Sequence, residues 1–233
     1  MNFSILSLLS LAVFVVGSIV HLVRCYQRRL GLSDITKFIL MPLLAIFYVL
    51  ALLGASFGII NILVLSALVC FWLGDIFLIY DWERVSFYFG MFFFMLAQIF
   101  LIVATSILLK DYPFPLIAGL AILLVFIIIL AIKLIFLKKP FAFIGLKFTA
   151  SLYLISTTVL SYLLVILAIA NFNVYTVLMA VGGLCFMLSD YHVIEEYYIS
   201  GNKFSRFLIM LGYLVGTGLI VVGFAGLQLL QAA

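Results

Sequence analysis

Two carboxylates occupy stretches where a charge is costly. Asp75 lies within CFWLGDIFLI (70–79) and Asp190 within CFMLSDYHVI (185–194), and both stretches are otherwise almost wholly aromatic or aliphatic. An aspartate near the centre of a membrane helix costs roughly 2.5–3.5 kcal/mol on insertion scales, so such residues face a bundle interior or a wet cavity rather than lipid. Hydrogen bonds between membrane helices return only about 0.6 kcal/mol on average, so pairing with Lys37, Lys147 or a tyrosine is by itself a weak reason to keep two acids. Two carboxyl groups sharing a low-dielectric site can instead hold different protonation states, one donating a proton while the other stays an anion. General acid–base chemistry is the expectation. Which carboxyl plays which role is open, because coupled acids titrate as a pair.

Other polar side chains are placed to support such a pair. Lys37 opens the second apolar run at the level of the aspartates, where it can either snorkel to headgroups or pair with an acid. His21 closes the first apolar run, and Tyr153 and Tyr213 can offer hydroxyls to a cavity. Asp81, Glu83, His192, Glu195 and Glu196 read as a solvated rim. Neither histidine belongs to an HExxH pair, and GxSxG and GxxxxGK[ST] motifs are absent. Asp190 and His192 stand two apart and point to different helix faces. No metal and no cofactor is called for. Cys25, Cys70 and Cys185 lack metal spacing and read as packing residues.

The elements that must position these groups follow from composition. Of 233 residues, 69% are hydrophobic and 9% charged, which marks an integral membrane protein rather than a soluble domain. Continuous rather than alternating apolar runs exclude a transmembrane β-barrel. An all-α polytopic bundle of eight helices is predicted, near 4–23, 36–55, 58–80, 86–109, 114–136, 147–170, 173–194 and 204–230. Residues 1–233 form one membrane-embedded domain. The net charge of +4 is spread in short clusters, so nucleic acid is not an expected partner. The N-terminal run lacks a basic leader and is too long for a signal peptide, so it reads as a first span.

Arg24, Arg28, Arg29 and Lys37 follow span 1, Lys138 and Lys139 follow span 5, and Arg84, Lys203 and Arg206 fall in the other two loops on that side. Only Lys110 lies opposite, so both termini are expected to be non-cytoplasmic. Matching CFWLGDIFLI to CFMLSDYHVI suggests a parallel four-plus-four repeat with halves 1–112 and 113–233. Both aspartates then lie about one helical turn from the cytoplasmic end.

The sequence resembles the YhhN family of eight-span membrane proteins, which includes the lysoplasmalogenases. The resemblance is carried by TKFILMPLL opening span 2, WLGD ending span 3, FYFGMFFFMLAQ in span 4, Tyr153 in span 6, FMLSD in span 7 and GYLVGT in span 8. Phe38 stands where a proline would follow the lysine, Gln98 where a histidine is usual, and Thr217 where a glutamine is usual. A histidine at position 98 could relay a proton near neutral pH, whereas glutamine orients groups by hydrogen bonds.

The resemblance implies hydrolysis of the vinyl ether of a lysoplasmalogen-like lysophospholipid, releasing a fatty aldehyde and a glycerophospho-headgroup. It also implies Asp75 and Asp190 as catalytic, with Lys37, Gln98, Tyr153 and Tyr213 in support, and Lys37 or Arg28 near the lipid phosphate. Two other functions compete: a proton-coupled carrier of solutes or lipids, and a degenerate lipid-binding protein. The polar groups sit near one face rather than the midplane, which favours a site open to one leaflet. A bacterial inner membrane is the expected location.

Overall fold

Lipid offers no partner for an unpaired backbone N–H or C=O, so continuous apolar runs of this length satisfy their amides as helices. The computed structural model describes residues 3–27, 32–53, 57–79, 84–136, 144–199 and 203–231. These described residues form eight helices: α1 (Ile5–Tyr26), α2 (Leu32–Ala51), α3 (Ile59–Ile79), α4 (Arg84–Leu109), α5 (Leu116–Phe136), α6 (Ile144–Ala170), α7 (Val174–Ile199) and α8 (Lys203–Gln231). Seven are long and apolar enough to cross a membrane. The eighth, α2, has a shorter apolar stretch, Thr36–Ala51.

α2 departs most from its expected bounds. It begins at Leu32 rather than 36. Lys37 therefore stands inside the helix instead of at its edge. α7 also continues to Ile199, past the expected 194. Caps fix two of the starts. Ser4 accepts a hydrogen bond from the Ser7 amide at 3.1 Å and opens α1. Asn173 takes the Tyr175 and Thr176 amides at 2.9 and 3.1 Å, while the Thr176 hydroxyl accepts from the Asn173 amide at 3.2 Å. That reciprocal capping box makes the three-residue turn between α6 and α7 possible.

Packing among the described residues runs α1 to α2 to α3 to α4 to α6 to α7 to α8 and back to α1. α5 lies outside this ring against α6, with most of its apolar side chains exposed. α7 and α8 approach most intimately where glycines face each other. A Cβ on Gly182 would meet the Gly216 carbonyl at 2.8 Å, and one on Gly216 would meet the Phe186 amide nitrogen at 2.8 Å. Without a hydrophobic drive between helices in lipid, such small-residue contacts let backbones pack closely. On α1, the buried positions Ser7, Phe14, Ser18 and His21 form one stripe facing the ring.

Candidate active site

Each of the six helices from α2 to α4 and α6 to α8 brings at least one polar side chain to a common interior site. Lys37 comes from α2, Asp75 from α3, Gln98 from α4, Tyr153 from α6, Asp190 from α7 and Tyr213 from α8. All six are buried, with Asp75 1%, Asp190 2% and Gln98 0% exposed.

Asp75 is held by one cation and one hydroxyl. The Lys37 ammonium lies 3.1 Å from Asp75 Oδ1, as an ion pair without hydrogen-bond alignment. The Tyr213 hydroxyl donates to Oδ2 at 2.8 Å. The Tyr213 ring is fixed by aromatic contacts with Phe71, Phe94 and Phe186, at centroid distances of 6.2, 5.5 and 6.1 Å. Phe71 and Phe186 touch each other at 5.4 Å. Each lies one turn before an aspartate, at i−4, so the rings form an apolar floor under the acids.

Asp190 has neutral partners. The Gln98 side-chain amide donates to its Oδ2 at 2.8 Å, and the Tyr153 hydroxyl hydrogen-bonds it as well. The buried Thr157 hydroxyl also reaches Asp190, without an aligned hydrogen bond. Ser156 donates to Gln98 Oε1 and can alternatively donate to the Tyr153 carbonyl at 2.8 Å. The two acids belong to one electrostatic unit, because Tyr153 and Tyr213 each interact with both carboxylates and Tyr213 with Tyr153.

The donor sets are reciprocal. Asp75 and Asp190 stand 115 positions apart, as do Phe71 and Phe186, and Gln98 and Tyr213. Asp75 on α3 takes its hydroxyl from α8, and Asp190 on α7 takes its amide from α4.

A small cavity opens beside this cluster. Lys37, Asp190, Tyr153 and Tyr213 line it together with an apolar wall that includes Leu78, Phe87, Met91 and Met210. Small-molecule pockets typically combine apolar walls with a few convergent polar groups in this way.

The other sequence candidates fall elsewhere. His21 is buried between α1 and α2, with Nδ1 2.9 Å from the Thr36 hydroxyl and Nε2 3.4 Å from Cys25 Sγ. It thus contacts the residue next to Lys37. Arg28 lies outside the described residues, as do Asp81 and Glu83 and the side chains of Glu195 and Glu196. Of the three departures from the family pattern, only Gln98 meets a carboxylate. Phe38 is exposed against Trp72, whose indole donates to the Phe38 carbonyl at 2.9 Å. The Thr217 hydroxyl is spent on the Tyr213 carbonyl one turn back, at 2.7 Å.

Sequence reasoning missed Ser156 and Thr157. The one signal for Ser156 is its place three residues after Tyr153, on the same face of α6. The pattern F-x-x-G-x-x-x-F-x-x-A in span 4 also gains a physical meaning. Phe87 and Phe94 line the cavity, Gly90 faces Gly74 of α3 and Ala97 is fully buried, so the motif marks the inner face of α4.

Apolar helices around a buried, internally paired acid cluster define an integral multi-pass membrane protein. The match to the YhhN family model spans residues 32–224, most of the chain, and the protein belongs to that family. No curated protein and no solved structure matches it.

Proposed function

We propose that the protein is an intramembrane hydrolase that cleaves the vinyl ether of lysoplasmalogen-like lysophospholipids by acid–base chemistry of Asp75 and Asp190. The observation that carries this reading is a cavity with an apolar wall onto which Asp190, Tyr153, Tyr213 and Lys37 open, with Asp75 held directly behind it by Lys37 and Tyr213. Family membership supports it.

The chemistry asks for an acid and an anion. A carboxylic acid delivers its proton to the β-carbon of the alkenyl chain, and positive charge develops on the carbon attached to the ether oxygen. The second carboxylate stabilises that oxocarbenium-like centre. Water adds to the cationic carbon and gives up a proton to a carboxylate, leaving a hemiacetal. As the hemiacetal oxygen loses its proton and the carbon–oxygen bond to glycerol breaks, the glycerol oxygen takes up a proton. The sum is one vinyl ether and one water giving one aldehyde and one alcohol. The proton returned to the acid restores the starting state.

Leu78, Phe87, Met91 and Met210 offer the alkenyl chain a wall in which the unbranched methionines can adapt to a flexible ligand. Lys37 is committed to Asp75, so its place in the reaction is to hold that carboxylate as an anion beside the developing cation.

Purified protein given a 1-alkenyl lysophospholipid is expected to release fatty aldehyde. Asp75→Asn and Asp190→Asn should each abolish release, the former also at a cost in stability because Lys37 loses its buried counter-ion. Full turnover in both variants would refute the acid-pair mechanism. Solute uptake into proteoliposomes without any lipid cleavage would favour a carrier instead.

A further inference from the structure

The two carboxyl groups are equivalent in sequence context but not in their partners. Asp75 faces an ammonium, which can only donate, and a tyrosine hydroxyl that donates to it. Placing a proton on Asp75 would strand the Lys37 charge in a buried site, where an unpaired ion is strongly disfavoured. Asp190 meets groups that can reverse their polarity. A side-chain amide carries a donor and an acceptor that exchange places by a half-turn, and a hydroxyl can donate or accept.

We propose that Ser156 and Gln98 form a two-state hydrogen-bond relay that makes Asp190, rather than Asp75, the carboxyl group that gains and loses the catalytic proton. With Asp190 ionised, the Gln98 amide N–H₂ donates to Oδ2 and the Ser156 hydroxyl donates to Gln98 Oε1. With Asp190 protonated, its Oδ2–H donates to the carbonyl of the turned Gln98 amide. The amide N–H₂ then donates to Ser156 Oγ, and the Ser156 hydroxyl swings onto the Tyr153 carbonyl, already 2.8 Å away. In both states each of these contacts joins a donor to an acceptor, so the carboxyl group can change protonation without breaking the chain.

The relay deepens the proposed hydrolase reading and assigns its roles. Asp190 donates the proton to the alkenyl carbon, and Asp75, clamped by Lys37, faces the cation. Ser156 touches neither substrate nor the acid directly. It is a positioning residue acting through Gln98, and it gives a glutamine the ability to follow a proton that a fixed amide would lack.

Groups on several elements bear on Asp190: Tyr153 on α6, Tyr213 on α8, and Tyr191 beside it on α7. Lys37 on α2 shares the cavity, and its partner Asp75 on α3 interacts with both tyrosines that reach Asp190. From α4 the contact is the uncharged Gln98. Lys133 of α5 lies over the Tyr191 ring, 5.7 Å from its centre. His192 turns back to the Leu188 carbonyl at 2.8 Å.

The test is infrared difference spectroscopy of the full-length protein across a pH titration, which needs no turnover. The carboxylic-acid carbonyl band should disappear in Asp190→Asn and persist in Asp75→Asn. Its midpoint should move by about one pH unit or more, a tenfold change in proton affinity, in Ser156→Ala and Gln98→Met, and return in Ser156→Thr. In wild-type protein carrying carbon-13-labelled glutamine, a side-chain amide band should shift with the same midpoint, which tests the relay even if a variant fails to fold. Loss of the acid band in Asp75→Asn instead, an unmoved midpoint in Ser156→Ala, or a glutamine band blind to the titration would each overturn the relay. Failure to release aldehyde with these signatures intact would count against the proposed reaction and not against the relay.

Discussion

Replacing Lys37 by methionine is the sharpest probe of the site, because it keeps an unbranched side chain only one atom shorter and removes the counter-ion of Asp75. In the native protein the ammonium stands 3.1 Å from a carboxylate that is 1% exposed, and Lys37 itself is 9% exposed. Breaking a buried pair by removing one partner costs roughly 3–5 kcal/mol, since the remaining charge is left in a medium that solvates it poorly. A second route to the magnitude gives a similar answer. The variant escapes the bare charge by keeping a proton on Asp75, and an ordinary carboxyl group titrates near 3.9, so at pH 7 this costs about three pH units at about 1.4 kcal/mol each, or about 4 kcal/mol.

The sign of the pH dependence follows from proton counts. Above about pH 4 the unfolded chain has released this proton while the folded variant retains it. Stability of Lys37→Met should therefore fall by about 1.4 kcal/mol per unit as pH rises, and recover as pH drops toward 4. The double variant Lys37→Met/Asp75→Asn removes both charges and should lie within about 1 kcal/mol of wild type, as replacement of a whole buried pair often does. Reversible unfolding in mixed micelles across pH 4–8, run as a double-mutant cycle, measures all three. A single-variant cost below about 1 kcal/mol with no pH slope, close to the roughly 0.6 kcal/mol of an ordinary interhelical hydrogen bond, would refute the claim that Lys37 is a desolvated counter-ion.

Other substitutions separate chemistry from packing. Tyr213→Phe keeps the ring among Phe71, Phe94 and Phe186 but deletes the 2.8 Å bond to Asp75. A hydrogen bond to a charged group is worth about 1.5–3 kcal/mol, so the fold should lose about that much stability and aldehyde release should fall with it; unchanged turnover would remove Tyr213 from the mechanism. Gly216→Ala puts a methyl 2.8 Å from the Phe186 amide nitrogen and should destabilise the fold by about 1–3 kcal/mol, whereas Gly58→Ala meets nothing within 4 Å. Equal melting temperatures for the two glycine variants would show that the α7–α8 contact is not tight. Leu164→Ala, at a fully buried position on α6, should cost about 2–5 kcal/mol. Leu124→Ala, 59% exposed on α5, should stay within about 0.5 kcal/mol of wild type; a similar loss at both sites would mean that α5 is packed rather than peripheral.

Of the six polar residues that meet in the site, Asp75, Asp190 and Lys37 were legible from their charge, whereas Gln98 was singled out by the family resemblance and Tyr153 and Tyr213, two of 12 tyrosines, gained their weight from it. A charged or hydrogen-bonding side chain inside an apolar run is penalised unless it has a partner, so its presence is itself a signal. Ser156 and Thr157 carried no such signal, because small hydroxyls in membrane helices commonly satisfy themselves on the preceding turn, as Ser18 and Thr105 do here. His21 shows the converse: a rare polar residue, visible in the sequence, that the fold assigns to the α1–α2 contact with Thr36.

The sequence by itself determined the medium, the helical class and the number of helices, since run length and hydropathy are local quantities and lipid forbids other ways of satisfying a backbone. It also marked Asp75 and Asp190 as a pair. Only the tertiary structure decided that α5 lies outside the ring, that Lys37 belongs to Asp75, and that Asp190 is held by Gln98 and Tyr153. Those facts depend on which helix faces meet. In lipid, where all faces are apolar, that choice rests on close-packed glycines and a few polar contacts between residues distant in the chain.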